Sequence, residues 1–537
     1  MNKKGFLALV LHSHLPYVRH PEDPYALEEE WLYEAITETY IPLIKVFSNL
    51  VRDGVDFKVT LSLSPTLISM LTDSLLQDRY LNHLNKLIEL SEKELRRTKG
   101  DPKFYRVAKM YNEKFLESKR LFINYNKNLL IPFNVLQDIG VLEIITCSAT
   151  HGYLPLMDRY PEAVKAQLQV GIKIYEENFR RRPRGIWLPE CGYYPGIDRY
   201  LWDEGLKYFF VDTHGILNSN PRPTYKNFAP IYTDSGVAAF ARDVESSKQV
   251  WSAQEGYPGD YNYREFYRDI GYDLDYEYIK DYIHPEGFRK QTGIKYYKIT
   301  EKDEHKEVYD PQKAKNRANI HAQNFMFNRH KQIGYLSSKM DRSPIIVSPY
   351  DTELFGHWWY EGPIWLDLLL RKIGKDDKLK TISPSDYLDI YPINQVATPS
   401  LSSWGAQGYN QVWLDSSNSW IYPKLHKITE QMIDLANTWQ VKNSIELRVL
   451  NQLAREVLLA QSSDWAFIIK TDTMKEYAVR RTKEHLNNFN CLFSSLKLEE
   501  IDIDFLKGLE KKNNIFKNID YKVYQSNQNA NYKEVML

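Results

Sequence analysis

The chain has 537 residues, 43% of them apolar and 26% charged, an ordinary globular balance with length for about three domains of ~150 residues. Lys+Arg and Asp+Glu both number 70, so the formal charge is zero, which argues against a nucleic-acid protein with its basic surplus. The excess is aromatic: 39 Tyr, 22 Phe and 12 Trp offer flat apolar faces with polar tips, which suit sugar rings, so carbohydrate is the ligand class to test first.

The first apolar run, FLALVLHSH (6–14), imitates a signal peptide, but Phe6 to Leu11 is too short for a usual apolar region and reads better as a buried strand. FKVTLSLSP (57–65), LEIITCSATH (142–151), GIWLPE (185–190), YFFVDTH (208–214) and PIIVSPYD (344–351) repeat the pattern. Their shortness and lack of alternation predict strands buried on both faces, as in parallel sheets. Segments with helical periodicity lie between them, LNHLNKLIELSEKELRRTKG and PEAVKAQLQVGIKIYEENFR among others. Strand, helix, strand at this scale predicts an α/β architecture, a barrel or an open sheet.

Residues 191–240, apart from the strand at 208–214, and 251–276 interrupt the rhythm and read as loop-like excursions. From about 400 the texture turns to long amphipathic helices, and the last ~25 residues are polar and expected to be poorly ordered. No run approaches the ~18 apolar residues of a membrane helix. Cys147, Cys191 and Cys491 form neither a disulfide framework nor a metal pair, so a reducing, cytoplasmic setting is expected.

His12, His14, His151, Glu190, Asp212, His214 and Asp351 all fall at the C-terminal tip of a predicted strand, the end where parallel α/β barrels build their sites. Glu190 follows an apolar strand and Asp351 sits among aromatics. Two such carboxylates suit retaining glycoside chemistry, one attacking the anomeric carbon while the other protonates the leaving oxygen. Two other readings stand beside it. The H-S-H at 12–14, with His151 or His214 and Asp351, has the layout of a metal-dependent hydrolase. A binding module could stack sugars on Trp251, Trp404 and Trp413 without catalysis.

HSHLPY (12–17), ATHGYLPL (149–156), GIWLPECGY (185–193), FARDVESSKQVWSAQEGYPGD (240–260) and SPYDTELFGHWWYEGP (348–363) resemble the motif regions of glycoside hydrolase family 57. SSWGAQGYNQVWLD (402–415) and QSSDWAF (461–467) look like its 1,4-α-glucan branching subgroup. The resemblance implies a distorted (β/α)7 barrel over 1–190 and 241–400, with a small inserted domain at 191–240. It implies a helical domain at 401–510 that completes the cleft, followed by a polar tail at 511–537. It implies Glu190 as nucleophile and Asp351 as general acid/base, with no metal and no cofactor. His12, His14 and His151 would line the donor subsite. Arg242, Gly259, Trp404 and Asp464 would contact the glucan, and Trp251 and Trp413 would form aromatic walls. An acceptor-side loop would fall at 215–235, where Tyr225 and Tyr232 both qualify. The implied partner is an α-1,4-glucan acted on by a monomer that makes α-1,6 branches. An α-amylase or a 4-α-glucanotransferase is the alternative within the family.

Overall fold

The computed structural model describes residues 5–252, 255–300 and 306–526. Nine strands form one sheet: β1 (Gly5–Ser13), β2 (Val59–Leu63), β3 (Leu142–Cys147), β4 (Gly185–Trp187), β5 (Tyr208–Val211), β6 (Ile231–Tyr232), β7 (Ala238–Ala241), β8 (Ile345–Asp351) and β9 (Leu379–Thr381). Their order is β6-β7-β5-β4-β3-β2-β1-β8, with β9 added beside β1, and every pairing except β6 with β7 is parallel. The sheet curls until its ends meet. Arg242, just past β7, bridges Val347 of β8, and the Asp243 N–H donates to the Val347 carbonyl at 2.8 Å. Seven parallel strands therefore close into a ring on one bridge, the distorted barrel that the family resemblance implies.

Each predicted strand exists because its residues can be covered on both sides; β2 is buried throughout and β8 up to Tyr350. Parallel register then aligns the polar tips. His12 lies opposite Ser62 on β2 and opposite Asp351 on β8. The predicted strand at 208–214 stops early, at Val211. Asp212 instead caps a short helix, Thr213–Leu217, by accepting the Thr213 N–H.

The inserted domain expected at 191–240 is corrected by the sheet itself. That span supplies β5, β6 and β7, so it continues the barrel. Short β7, AAFA, was illegible because four small or apolar residues carry no period. The true excursion is the segment between helices Val244–Trp251 and Pro311–Ser337. Its described part is fixed by the buried Asp269 carboxylate, which accepts the backbone N–H groups of Gly271, Thr292 and Gly293 at 2.8–2.9 Å.

Five helices follow the barrel: Ile421–Thr438, Ser444–Ala460, Ser463–Thr471, Lys475–Lys497 and Ile503–Lys512. The polar tail expected from 511 is also corrected, as far as residue 526. Ile515, Phe516, Ile519, Tyr521 and Tyr524 are buried, and the Arg455 guanidinium donates to the carbonyls of Ile515 and Lys517. Sparse apolar residues among Asn and Lys hid this strap from composition. Near the strand tips the helices dock onto the barrel through a line of contacts at 150–152. The Ser463 N–H donates to the His151 carbonyl at 3.1 Å, Gly152 bridges Ser462, and the Thr150 hydroxyl donates to the Leu458 carbonyl.

Candidate active site

β4 ends at Trp187, and Pro189 turns the chain so that Glu190 and Cys191 both adopt left-handed backbone, with φ of +61° and +51°. Non-glycine residues pay strain in that region, and consecutive ones persist only where surroundings over-determine them. Here Trp404 does so. Its backbone N–H donates to the Glu190 carbonyl at 2.9 Å and its indole N–H to Oε2 at 2.7 Å. Trp404 is itself braced edge-on against Trp187, 4.8 Å between centroids. Glu190 is thus gripped at main chain and side chain by a residue 214 positions away.

Asp351 ends β8, beside His12 in register. Burial pushes the Glu190 carboxyl up to about 8; the Trp404 N–H opposes this, while the charges of Asp351 and Asp464 add to it. Burial likewise pushes Asp351 up to about 7, with His14 opposing. The Asp351 charge is felt at Glu190, and both carboxyls resist ionisation near neutrality, as paired acid and nucleophile carboxyls do.

Three imidazoles complete the floor. His12 Nδ1 meets the Ser62 hydroxyl at 3.1 Å and its Nε2 meets His151 Nε2 at 3.0 Å. His151, in left-handed backbone at φ +55°, meets the Ser463 hydroxyl through Nδ1 at 2.9 Å, and that nitrogen lies 3.8 Å from Glu190 Oε1. Burial pulls the pKa values of His12 and His151 well below the usual range, and the neighbouring imidazoles add to this, so both are neutral. His14 Nδ1 meets Ser64 at 3.0 Å and its Nε2 meets both Asp464 oxygens at 3.1 Å. Burial would raise the Asp464 carboxyl, but His14, His151 and the Ser462 hydroxyl together hold it at about 2, so it is ionised.

Among the described residues, His12, Cys147 and His151, and separately His14, His151 and Asp464, bring potential metal-ligand atoms within 4.8 Å of one another. In the second group ring orientation works against chelation. His14 and His151 stack face to face at 3.8 Å with 10° between planes. Nitrogen lone pairs lie in the ring plane, so an ion in the plane of one ring would sit over the face of the other.

The structure therefore gathers His12, His14, His151, Glu190, Asp351, Trp404 and Asp464 at one place. Arg242 adjoins it, its guanidinium paired to Asp212 at 2.6 Å, and both charges reach Cys191 beside Glu190. Trp251 ends helix Val244–Trp251, 40% exposed, and Gly259 lies in the turn Tyr257–Gly259 packed on that helix. Among the described residues neither has a hydrogen bond, ion pair or ring contact with the cluster.

Trp413, expected as an aromatic wall, is 1% exposed. One face stacks on Tyr153 at 4.3 Å, and Gly405 packs so closely that a Cβ there would come within 2.7 Å of the indole. The ring has no free face for a sugar; it supports the 404–413 loop that carries Trp404. Neither tyrosine of the 215–235 loop reaches the carboxylate end of the sheet. Tyr232 pairs with Ala238, the first residue of β7, and Tyr225 packs on Arg342, before β8 begins.

Residues the sequence did not single out include Ser463, which orients His151, and Glu353, two positions past Asp351. Glu353 accepts a hydrogen bond from the Tyr40 hydroxyl, and burial pushes its carboxyl up to about 8. Tyr40 closes a π-helical turn, Ile36–Tyr40, a backbone irregularity enriched at functional sites. The acid two residues from Asp351 was the available signal; its tyrosine, 313 positions away, had none.

Comparison with known proteins places this arrangement. The C-terminal helices over 424–524 match the family model described as 1,4-alpha-glucan branching enzyme, C-terminal. The chain is 35% identical to the 1,4-alpha-glucan branching enzyme TK1436 of Thermococcus kodakarensis, over 96% of this chain and 78% of that one. Among solved structures it resembles the alpha-amylase AmyC from Thermotoga maritima, with TM-score 0.92 and 46% identity over 98% of this chain and 99% of that one. A branching enzyme of the same family type from Pyrococcus horikoshii superimposes with TM-score 0.88 and 35% identity over 98% and 97%. The model of glycosyl hydrolase family 57 matches residues 8–402, the whole ring of strands with both strand-end carboxylates, and the chain belongs to that family.

Proposed function

We propose that the chain is a 1,4-α-glucan branching enzyme that works by retaining double displacement. The observation that carries the reading is the joint between barrel and helices. A segment matching the branching-enzyme C-terminal model supplies Ser463 and Asp464 directly to His151 and His14. The site is completed only when those helices are in place.

Glu190 is the nucleophile. The indole N–H of Trp404 is a donor only, so its contact favours the ionised carboxylate and aims Oε2. Asp351, kept neutral by burial, protonates the departing glucan oxygen as Glu190 attacks the anomeric carbon. The segment upstream of the cut stays on Glu190 as a covalent ester. Asp351, now ionised, takes the proton from a glucan 6-hydroxyl, which displaces Glu190 and forms an α-1,6 linkage. Two inversions retain the α configuration. His12, His14 and His151 line the donor sugar's position, His12 and His151 as neutral rings whose nitrogens are already bonded to Ser62, Ser463 and each other. Arg242 and Asp464 contact the glucan, with Gly259 and Trp251 farther along its course. This division of labour assigns 1–190 and 241–400, together with the strands of 191–240, to the catalytic barrel and 401–510 to closure of the cleft. Glycogen synthesis in the cytoplasm is the corresponding role.

A second reading has its own support, the 46% identity to a protein named an alpha-amylase. Hydrolysis shares every step up to the glycosyl-enzyme and differs in whether water or a 6-hydroxyl resolves it. Incubation with amylose separates the two. Branching lowers iodine staining with few new reducing ends and yields short chains on debranching. One reducing end per bond broken, with no debranchable linkage, would establish the amylase instead.

A further inference from the structure

The turn after β8 carries adjacent indoles that part company: Trp359 is 1% exposed and Trp358 is 56% exposed. The turn is rigid. The Trp358 N–H donates to the Glu353 carbonyl, and Gly356 and Trp359 are joined by the Gly356 N–H to the Trp359 carbonyl at 2.8 Å. Gly356, at φ +114°, lies so close to the Ile36–Tyr40 turn that a Cβ would meet the Glu38 carbonyl oxygen at 1.8 Å. Trp358 is therefore anchored two residues from Asp351 in hydrogen-bond terms, yet projects into solvent.

One face of that indole is covered. Phe266 stacks on it at 4.4 Å and 19°, and Phe266 is backed by the Lys295 ammonium, 4.3 Å from its centroid. Tyr267, 74% exposed, stands edge-on to Phe266, and His357 stands edge-on to Trp358 at 5.2 Å. The nearby charges are engaged: Arg268 with Asp273 at 2.9 Å, and Lys295 with the Phe266 carbonyl and Gln291. A rigid indole with one face backed and one bare, rimmed by a hydroxyl and an imidazole and without free charge, suits a neutral ring bearing hydroxyls better than an anion or a peptide.

We propose that Trp358, stacked on Phe266 and flanked by Tyr267, is a remote glucan platform that holds an α-1,4 chain several sugars from the bond being cut. The proposal rests on the α-glucan reading of the active site. It assigns the platform to chains long enough to reach from Glu190 to the end of the loop, so that a short oligosaccharide at Glu190 is not held by it.

Titration calorimetry on the full-length chain carrying Glu190→Gln tests it with maltotriose and maltoheptaose as probes. Adding Trp358→Ala should weaken maltoheptaose binding about three- to tenfold and leave maltotriose unchanged. Trp358→Phe should restore part of the loss, and Phe266→Ala should reproduce it. Equal loss for both probes, or no loss for maltoheptaose, overturns the platform. So does a dissociation of dimers to monomers on Trp358→Ala in sedimentation, which would make the patch a contact between copies. Residual turnover by Glu190→Gln would instead count against the catalytic assignment and leave the platform comparison readable.

Discussion

Trp404→Phe removes one hydrogen bond and little else, since a phenyl ring retains most of the packing against Trp187. A hydrogen bond to a charged group is worth ~1.5–3 kcal/mol, which raises the Glu190 carboxyl by a further ~1–2 pH units. In the proposed mechanism the active form of the free enzyme has Glu190 ionised and Asp351 protonated. With Glu190 at about 8 and Asp351 at about 7, that form is a minority at every pH. Its population follows a bell with limbs near those two values. Raising the Glu190 value alone leaves the lower limb where it is, moves the upper limb upward, and lowers the peak about tenfold for each pH unit. The assay is kcat/KM for a maltooligosaccharide between pH 5 and 10, in wild type and Trp404→Phe. A lower limb that moves while the upper one stays would mean that Glu190 ionises before Asp351. An unchanged profile with reduced activity would mean that Trp404 acts by packing alone.

Glu190→Gln and Asp351→Asn should each abolish turnover of glucan, whereas with an activated leaving group only Asp351→Asn should still form glycosyl-enzyme; the reverse pattern would exchange the two roles. Both carboxyls are raised on folding, so the stability they confer is complete below pH ~4 and is lost progressively from there as pH rises through 7 to 8. Thermal melts should therefore fall between pH 6 and 9, and Glu190→Gln should fall less; parallel curves would contradict the burial argument. Prolonged chelation should leave activity unchanged, since the proposed two-carboxylate mechanism uses no ion and stacked His14 and His151 cannot share one, and recovery by added zinc after loss would restore the metallohydrolase reading. Trp413→Ala should cost ~3–5 kcal/mol in melts and loosen Trp404, with Trp413→Phe milder; a stable, fully active alanine variant would deny its supporting role.

The strands and their tips were legible because a strand buried on both faces must be apolar throughout, and polarity can resume only where it ends. That logic reached His12, His14, His151, Glu190 and Asp351 from composition along the chain alone; Trp404 stood out as a candidate sugar-stacking ring, and the family motifs added Asp464. Short β7 and β9 lacked enough residues for a pattern, and the 513–526 strap dispersed its apolar side chains among polar ones. Motif proximity misplaced Trp413, because a tryptophan in a sugar-binding motif reads the same whether its face is bare or covered by Tyr153.

What a side chain contacts across the fold was decided by tertiary structure. The left-handed turn at Glu190 is held by an indole from the 404–413 loop, His151 is aimed by Ser463, and Tyr40 reaches Glu353 through a π-helical turn. Each pair is more than 200 residues apart in sequence, so no local period or spacing encodes it. The sequence determined which groups are present and which strand end carries them. Their ionisation and aim depend on burial and on partners, and those exist only once the barrel has closed and the helices have docked.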